Sequence, residues 1–164
     1  MRHLKFLVLA LLFGVTGTVH ALANDKDQPV QLSADSVDMD EGKEISVYKG
    51  DVDLRQGSMR LQADQVTIRH RGQQPEKVIA IGSPVRFQQD SGNGLVKARA
   101  QRAEYAVNSE VLVLIGKASL TRAGNTTRSD RIVYDRVRHQ VKAGAAAKGK
   151  QRVQITIEPG KSNK

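Results

Sequence analysis

Apolar and polar residues alternate with a period of two along most of the chain. In residues 46–68, SVYKGDVDLRQGSMRLQADQVTI, aliphatic side chains alternate with charged or polar ones, and glycines stand between the runs. Such alternation is typical of strands with one buried face, and glycine between two runs favours a hairpin. No stretch between residues 28 and 158 keeps a 3.6-residue apolar rhythm for two turns. The pattern therefore predicts an all-β domain of many short antiparallel strands.

A glycine followed by a short strand recurs through the sequence at intervals of about thirty residues. One such unit cannot bury its own apolar face, so stacked units are expected to form a continuous sheet. The repeated glycines are Gly50, Gly82, Gly116 and, more weakly, Gly144.

A second motif, a small residue followed by Asp, any residue and an aliphatic residue, accompanies the glycine repeat. It occurs as ADSV at 34–37, ADQV at 63–66 and SDRI at 129–132, with AQRA at 100–103 as a degenerate copy. We expect the repeated Asp to accept backbone amides at turns or bulges, which is a structural role. A repeated position spaces these acids along the stack, whereas catalysis would require them to converge.

The N-terminal segment has the pattern of a secretory signal peptide. A short basic stretch precedes an apolar run from Phe6 to Val19, and Ala21 and Ala23 fit the small-x-small cleavage rule, with Asn24 as the new N-terminus. The predicted organisation is a cleaved signal at 1–23, one domain at 24–158 and a flexible tail at 159–164. Export to the periplasm follows if the organism is a bacterium. The alternative is an uncleaved anchor in the inner membrane.

Few residues in the chain are suited to catalysis. The 164-residue chain has no cysteine, and beyond the signal its histidines are His70 and His139, far apart in sequence. Neither a metal site, a cofactor nor a nucleophile motif is indicated. A polysaccharide-active enzyme on a β-helix remains the enzymatic alternative, and it would need clustered carboxylates.

The remaining signal is a long aliphatic face with a basic fringe, in a chain of formal net charge +9. A repetitive sheet that closes only in part leaves an apolar trough, which suits acyl chains, while basic residues at its rim suit phosphates. The alternative is that the apolar residues are plain core and the basic ones a solvated face. The predicted lipid-binding residues are Val30, Leu32, Val52, Leu54, Leu61, Val66, Ile68, Phe87, Tyr105, Leu112, Leu114, Ile132 and Tyr134, and the predicted phosphate fringe is Arg69, Arg71 and Lys77.

Several of these segments together resemble the OstA-like family of periplasmic lipopolysaccharide-export proteins. They are DQPVQLSAD at 27–35, YKGDVDL at 48–54, GSPVRFQ at 82–88 and SDRIVYD at 129–135. The resemblance spans nearly the whole mature chain. It implies an open, V-shaped β-jelly roll of about sixteen short antiparallel strands and a non-enzymatic bridge that binds lipopolysaccharide.

The resemblance also implies partners. Lipopolysaccharide would be received from an inner-membrane-anchored jelly roll (LptC-like) and passed to the N-terminal jelly roll of an outer-membrane translocon (LptD-like). Subunits would join head to tail through edge strands, and no nucleic acid is expected. An inner-membrane-anchored relative of the same pathway, which keeps its N-terminal helix, stays open as an alternative.

Overall fold

The strands predicted from the alternating pattern are present in the computed structural model, which describes residues 25, 28–90, 94–144, 148 and 152–158. The predicted signal peptide, its predicted cleavage site and the predicted tail at 159–164 lie outside these residues. In the described part of the chain, ten antiparallel strands form one sheet. They are β1 (Val30–Ser33), β2 (Ser36–Asp40), β3 (Ile45–Gln56), β4 (Met59–Arg71), β5 (Gln74–Asp90), β6 (Leu95–Ala106), β7 (Val111–Arg122), β8 (Asn125–Asp135), β9 (Gln140–Ala143) and β10 (Gln154–Thr156).

Each long strand pairs with its neighbours in chain order, from β3 through to β8. The short strands pair with the two outermost long strands. β1 and β2 pair with the two ends of β3, and β10 and β9 pair with the two ends of β8. The all-β, open antiparallel architecture is thus as predicted, with β1 and β2 at one edge of the sheet and β9 and β10 at the other.

A register shift interrupts every long strand near its middle. In β3 it falls between Lys49 and Val52, and in β7 between Ile115 and Ala118. We call the line of these shifts the seam, and it divides the sheet into two lobes. The first lobe contains β2 and β9, and the second lobe contains β1 and β10. The six long strands continue across the seam, which is why the structure has fewer and longer strands than the sixteen expected.

The repeated glycines lie on the seam because the backbone there adopts conformations that glycine favours. Gly50 has φ +79° and Gly116 φ +76°. A Cβ at Gly50 would collide with the Asp35 side chain, and one at Gly116 with the Gln101 side chain. The two repeated motifs therefore meet at the seam, where glycine leaves room for the polar residue of the other motif.

The repeated acids lie at breaks in the strands, as predicted, but their expected hydrogen bonds to backbone amides are not found. Asp35 donates its own backbone N–H to the Gly50 carbonyl oxygen over 3.1 Å. Among the described residues, no hydrogen bond reaches the carboxylates of Asp35, Asp64 or Asp130. The Asp35 side chain lies against the face of Gly50 instead, so it fills space that a Cβ would otherwise occupy.

The inward faces of both lobes pack together in one apolar core. Side chains with a period of two supply it, and the largest fully buried ones include Val52, Val85, Leu114 and Ile132. Alanines alternate with these larger residues across the strands, for example Ala100 opposite Val85, so the two faces can approach closely. This core holds the lobes together near the seam.

Candidate functional site: an apolar cavity between the two lobes

Away from the seam, the two lobes enclose a cavity of about 400 Å³. Its walls are rows of cross-strand neighbours. In the first lobe Ile68, Val78, Tyr105 and Leu112 lie in one row, since consecutive members are register partners. In the second lobe Leu54, Leu61 and Phe87 form the facing row. Because alternate side chains point to one face of a strand, each row presents apolar groups to the other.

The structure brings together seven of the thirteen predicted lipid-binding residues around this cavity. Leu32 is half-buried and packs against the core. The other five lie within the core and do not line the cavity: Val52, Val66, Leu114, Ile132 and Tyr134. The seven that line it are Val30, Leu54, Leu61, Ile68, Phe87, Tyr105 and Leu112. Contact of any of the thirteen with lipid stays a prediction.

The predicted phosphate fringe lies elsewhere than the cavity. Arg69 and Lys77 are register partners between β4 and β5 and alternate with the cavity residues Ile68 and Val78, so they lie on the outer face. Lys77 Nζ is 2.6 Å from the Glu104 carboxylate, and Arg71 forms an ion pair with Glu76. Binding of phosphate by these three residues stays a prediction.

Hydrogen bonds from Lys77 and Arg102 lower the pKa of the Glu104 carboxyl below its ordinary value of 4.5. Glu104 is therefore ionised at neutral pH and shared between two cations. This outer cluster is a network of ion pairs rather than a row of free charges.

Several residues of the cavity were not among those predicted. Val78 and Ala80 alternate in phase with their neighbours, and pairing β4 with β5 would have identified them. Gln89 is in phase with Phe87 on β5, but its side chain is polar and it was not among the apolar candidates. Asp25 and Arg136 carry no such signal, because they lie before β1 and in the turn after β8.

Arg136 lies at the first-lobe end of the cavity and is largely buried. Its Nη1 donates a hydrogen bond to the Tyr105 hydroxyl oxygen over 2.9 Å, and its guanidinium carbon is 5.8 Å from the centre of the Tyr105 ring. The Glu110 carboxylate is 3.7 Å away. Arg136 therefore adds to a mainly apolar wall a positive charge that is paired with Glu110.

Asp25 lies at the second-lobe end of the cavity. Its carboxylate accepts hydrogen bonds from the Ser58 backbone N–H and hydroxyl, each over 2.7 Å, and from the Gln89 side-chain amide over 2.6 Å. Burial acts to raise the pKa of the Asp25 carboxyl, but these bonds, with the positive charge of Arg136, lower it below 3.8. The carboxylate is therefore ionised and firmly held.

His70 and the acidic side chains are the groups that a metal site or an acid–base catalyst would use. The His70 ring lies 3.2 Å from the Ser46 hydroxyl, beside a second cavity of about 380 Å³. In the part of the chain that the structure covers, three or more His, Asp or Glu side chains nowhere group closely enough to hold a metal ion. The same part contains no helix long and apolar enough to cross a membrane.

An open, all-β antiparallel sheet with an apolar cavity between its two lobes is an open β-jelly roll. The model of a family described as "LptA/(LptD N-terminal domain) LPS transport protein" matches residues 31–140. The chain is 34% identical to the lipopolysaccharide export system protein LptH of Pseudomonas aeruginosa, over 93% of this chain and 95% of that protein. It is 30% identical to the lipopolysaccharide export system protein LptA of Haemophilus influenzae, over 94% and 91% respectively.

The fold is similar to a crystal structure of LptH from Pseudomonas aeruginosa, which is described as the LptA-homologous periplasmic component of the lipopolysaccharide transport device. The TM-score is 0.75 at 34% sequence identity, and the match covers 82% of this chain and 99% of that one. The chain belongs to the LptA/LptD N-terminal domain family of lipopolysaccharide transport proteins, so the predicted family is confirmed.

Proposed function

We propose that this protein is a non-enzymatic periplasmic carrier that takes part in lipopolysaccharide export. In this proposal it binds acyl chains in the cavity and passes the lipid from the inner membrane towards the outer-membrane translocon. The single observation that supports this most directly is the apolar cavity between the lobes of a family member.

The chemistry of the cavity suits an acyl chain. Its walls are aliphatic and aromatic, and its volume of about 400 Å³ lies within the range of small-molecule sites. Each methylene that is moved from water into such a wall contributes about 0.8 kcal/mol without directional bonds. Tight binding therefore does not require a fixed pose, and a lipid can slide between neighbouring sites.

A charge placed on the wall should abolish this binding. In Phe87→Asp, an unpaired carboxylate would face the acyl chains, and we expect affinity for lipopolysaccharide to fall at least about tenfold. Gln88→Asp is the matched control, because Gln88 is the next residue of β5, points to the opposite face and is paired in register with Arg60 and Lys97.

Both variants are to be compared by circular dichroism and by binding of labelled lipopolysaccharide. A folded Phe87→Asp protein that binds as well as the unaltered one would contradict the proposed site. An equal loss in both variants would show that charge, rather than the cavity wall, governs binding.

The exposed edges of the sheet support the proposed partners. β2 and β10 are exposed, including Val37, Met39 and Ile155, and an edge strand is a template for pairing with another chain. We propose that one edge meets an inner-membrane-anchored jelly roll (LptC-like), the other meets the translocon jelly roll (LptD-like), and copies of this chain join head to tail.

Truncation after Gly144 tests the role of the C-terminal edge, since it removes β10 from its pairing with β8. We expect concentration-dependent oligomers and the downstream contact to be lost while the monomer still binds lipid. Sedimentation velocity over a range of concentrations measures this. Oligomers that are unchanged by the truncation would place the joint elsewhere.

The membrane-anchored alternative differs at the N-terminus. A carrier released into the periplasm should begin at Asn24, whereas an anchored relative keeps residues 1–23. Mass spectrometry of the protein purified from a bacterial periplasm separates the two.

A further inference from the structure

The Asp25 carboxylate occupies a cluster of donors that all belong to other parts of the sheet. Ser58 lies in the β3–β4 turn and Gln89 near the end of β5. The Ser58 hydroxyl is itself fixed, because its oxygen accepts a hydrogen bond from the Asp90 backbone N–H over 3.0 Å. Gln89 is only 5% exposed. These donors are thus held in place by the sheet, and Asp25 is the group that they hold.

The backbone leaves space for an acceptor at this point. Gly57 has φ +58°, and a Cβ there would collide with the Asp25 carboxylate. The charge of Arg136 reaches the same carboxylate from the first lobe and helps to lower its pKa. A backbone N–H, a hydroxyl and an amide are donors of the kind that bind oxyanions in proteins, and Arg136 adds positive charge without a hydrogen bond to the carboxylate.

We propose that this cluster is an anion site that the chain fills with its own Asp25, and that it takes the phosphoryl headgroup of an amphiphile when Asp25 leaves. The inference rests on the proposed function, because the amphiphile's acyl chain would lie in the adjoining cavity. Asp25 and Gln89 line the same cavity as Leu54 and Phe87, so one molecule can reach both the apolar walls and the donors.

Asp25 can leave without breaking the sheet. It precedes β1, and its carboxylate makes its hydrogen bonds to Ser58 and Gln89. Among the described residues, its carbonyl oxygen accepts one backbone hydrogen bond, a local one from the Gln28 N–H over 3.1 Å. A phosphoryl group offers more acceptor oxygens than a carboxylate to the same donors. Exchange of one anion for the other therefore needs no strand to unpair.

The test compares two probes with the same chain length and different headgroups, dodecyl phosphate and dodecyl maltoside, below their micelle concentrations. Asp25→Asn removes the negative charge and replaces one acceptor oxygen by an NH₂ group, so the side chain can no longer accept all three hydrogen bonds from Ser58 and Gln89 and the internal anion is lost. We expect affinity for dodecyl phosphate to rise roughly tenfold and affinity for dodecyl maltoside to stay unchanged. Asp38→Asn, which removes an exposed carboxylate on β2, is the control for net charge.

A second variant distinguishes an anion site from a simple steric cap. Adding Gln89→Met to Asp25→Asn keeps the side-chain length and removes a donor, so the gain for dodecyl phosphate should disappear. Equal tightening of both probes by Asp25→Asn would overturn the anion site, as would no change in either. If every form binds dodecyl maltoside but Asp25→Asn gains no affinity for dodecyl phosphate, the anion site is overturned and the proposed function stands. Absence of binding of either probe by any form would overturn the proposed function and this inference with it.

Discussion

Leu112 and Leu114 lie two residues apart on the same face of β7, yet they have different surroundings. Leu114 is paired with Ala103 and Ile132 and is fully buried in the core beside the seam. Leu112 is paired with Tyr105 and Tyr134 and lines the cavity. Near the seam the lobes touch, and one row farther out they separate. On β7, core packing and the proposed binding surface therefore lie one row apart, although Ala80 and Ala103, in the same cross-strand row as Leu114, also line the cavity.

Replacing each leucine by alanine tests this difference in surroundings and has the largest expected effect on stability. Leu114→Ala would leave a new void in closely packed core and should cost about 3 kcal/mol of unfolding free energy. Leu112→Ala would enlarge an existing cavity and should cost about 1 kcal/mol less, while weakening the binding of lipopolysaccharide. Urea denaturation measures the first effect and a binding assay the second. Equal destabilisation by both would mean that the lobes pack as closely at Leu112 as at Leu114.

The glycines offer a second comparison, between the seam and an exposed hairpin. Gly50→Ala would force a Cβ into the Asp35 side chain at a positive φ, so we expect a loss of about 2 kcal/mol. Gly72 also has a positive φ, +60°, but open space surrounds its Cβ position. Gly72→Ala should cost only about 1 kcal/mol. Thermal unfolding of both variants measures whether the steric clash with Asp35 destabilises the protein beyond the strain of placing alanine at a positive φ.

Removing a charge on the outer face should change the free energy of unfolding less than these substitutions do, because Asp53 contributes there through ion pairs rather than through packing. Hydrogen bonds from Arg55, with others from Arg60, lower the pKa of Asp53 from 3.8 to about 2 against the opposing effect of burial. A lowered pKa contributes stability that is present above about pH 4 and is lost as pH falls through about 2. After allowance for solvent screening, the contribution is about 1 kcal/mol.

Asp53→Asn checks this assignment. The difference in unfolding free energy between the unaltered protein and the variant should be present at about pH 5 and should shrink towards about pH 2. A difference that does not change over this interval would show that Asp53 contributes through its shape or hydrogen bonds rather than through its charge.

The alternation of apolar and polar residues was enough to predict which faces of the strands are apolar. Alternation assigned Leu54, Leu61, Phe87 and Tyr105 to the inside, and the repeated glycines marked the joints between repeated strand units. The structure then showed that long strands continue through these glycines with a shift of register. The ordered series of segments also pointed to the family. These features are local, since a period of two and a glycine conformation depend on neighbours in the chain.

The depth at which each inward residue lies depends on how the two lobes pack and could not be predicted from alternation. Alternation gives Leu112 and Leu114 the same face, but where the two lobes diverge depends on the packing of all the long strands across the seam. The same holds for Asp25, Gln89 and Arg136, which meet the cavity from segments distant in sequence. It also holds for Arg69 and Lys77, which strand pairing places on the outer face. A period of two specifies the face of the strand to which a side chain points. How close that side chain lies to the opposite lobe depends on the assembled sheet.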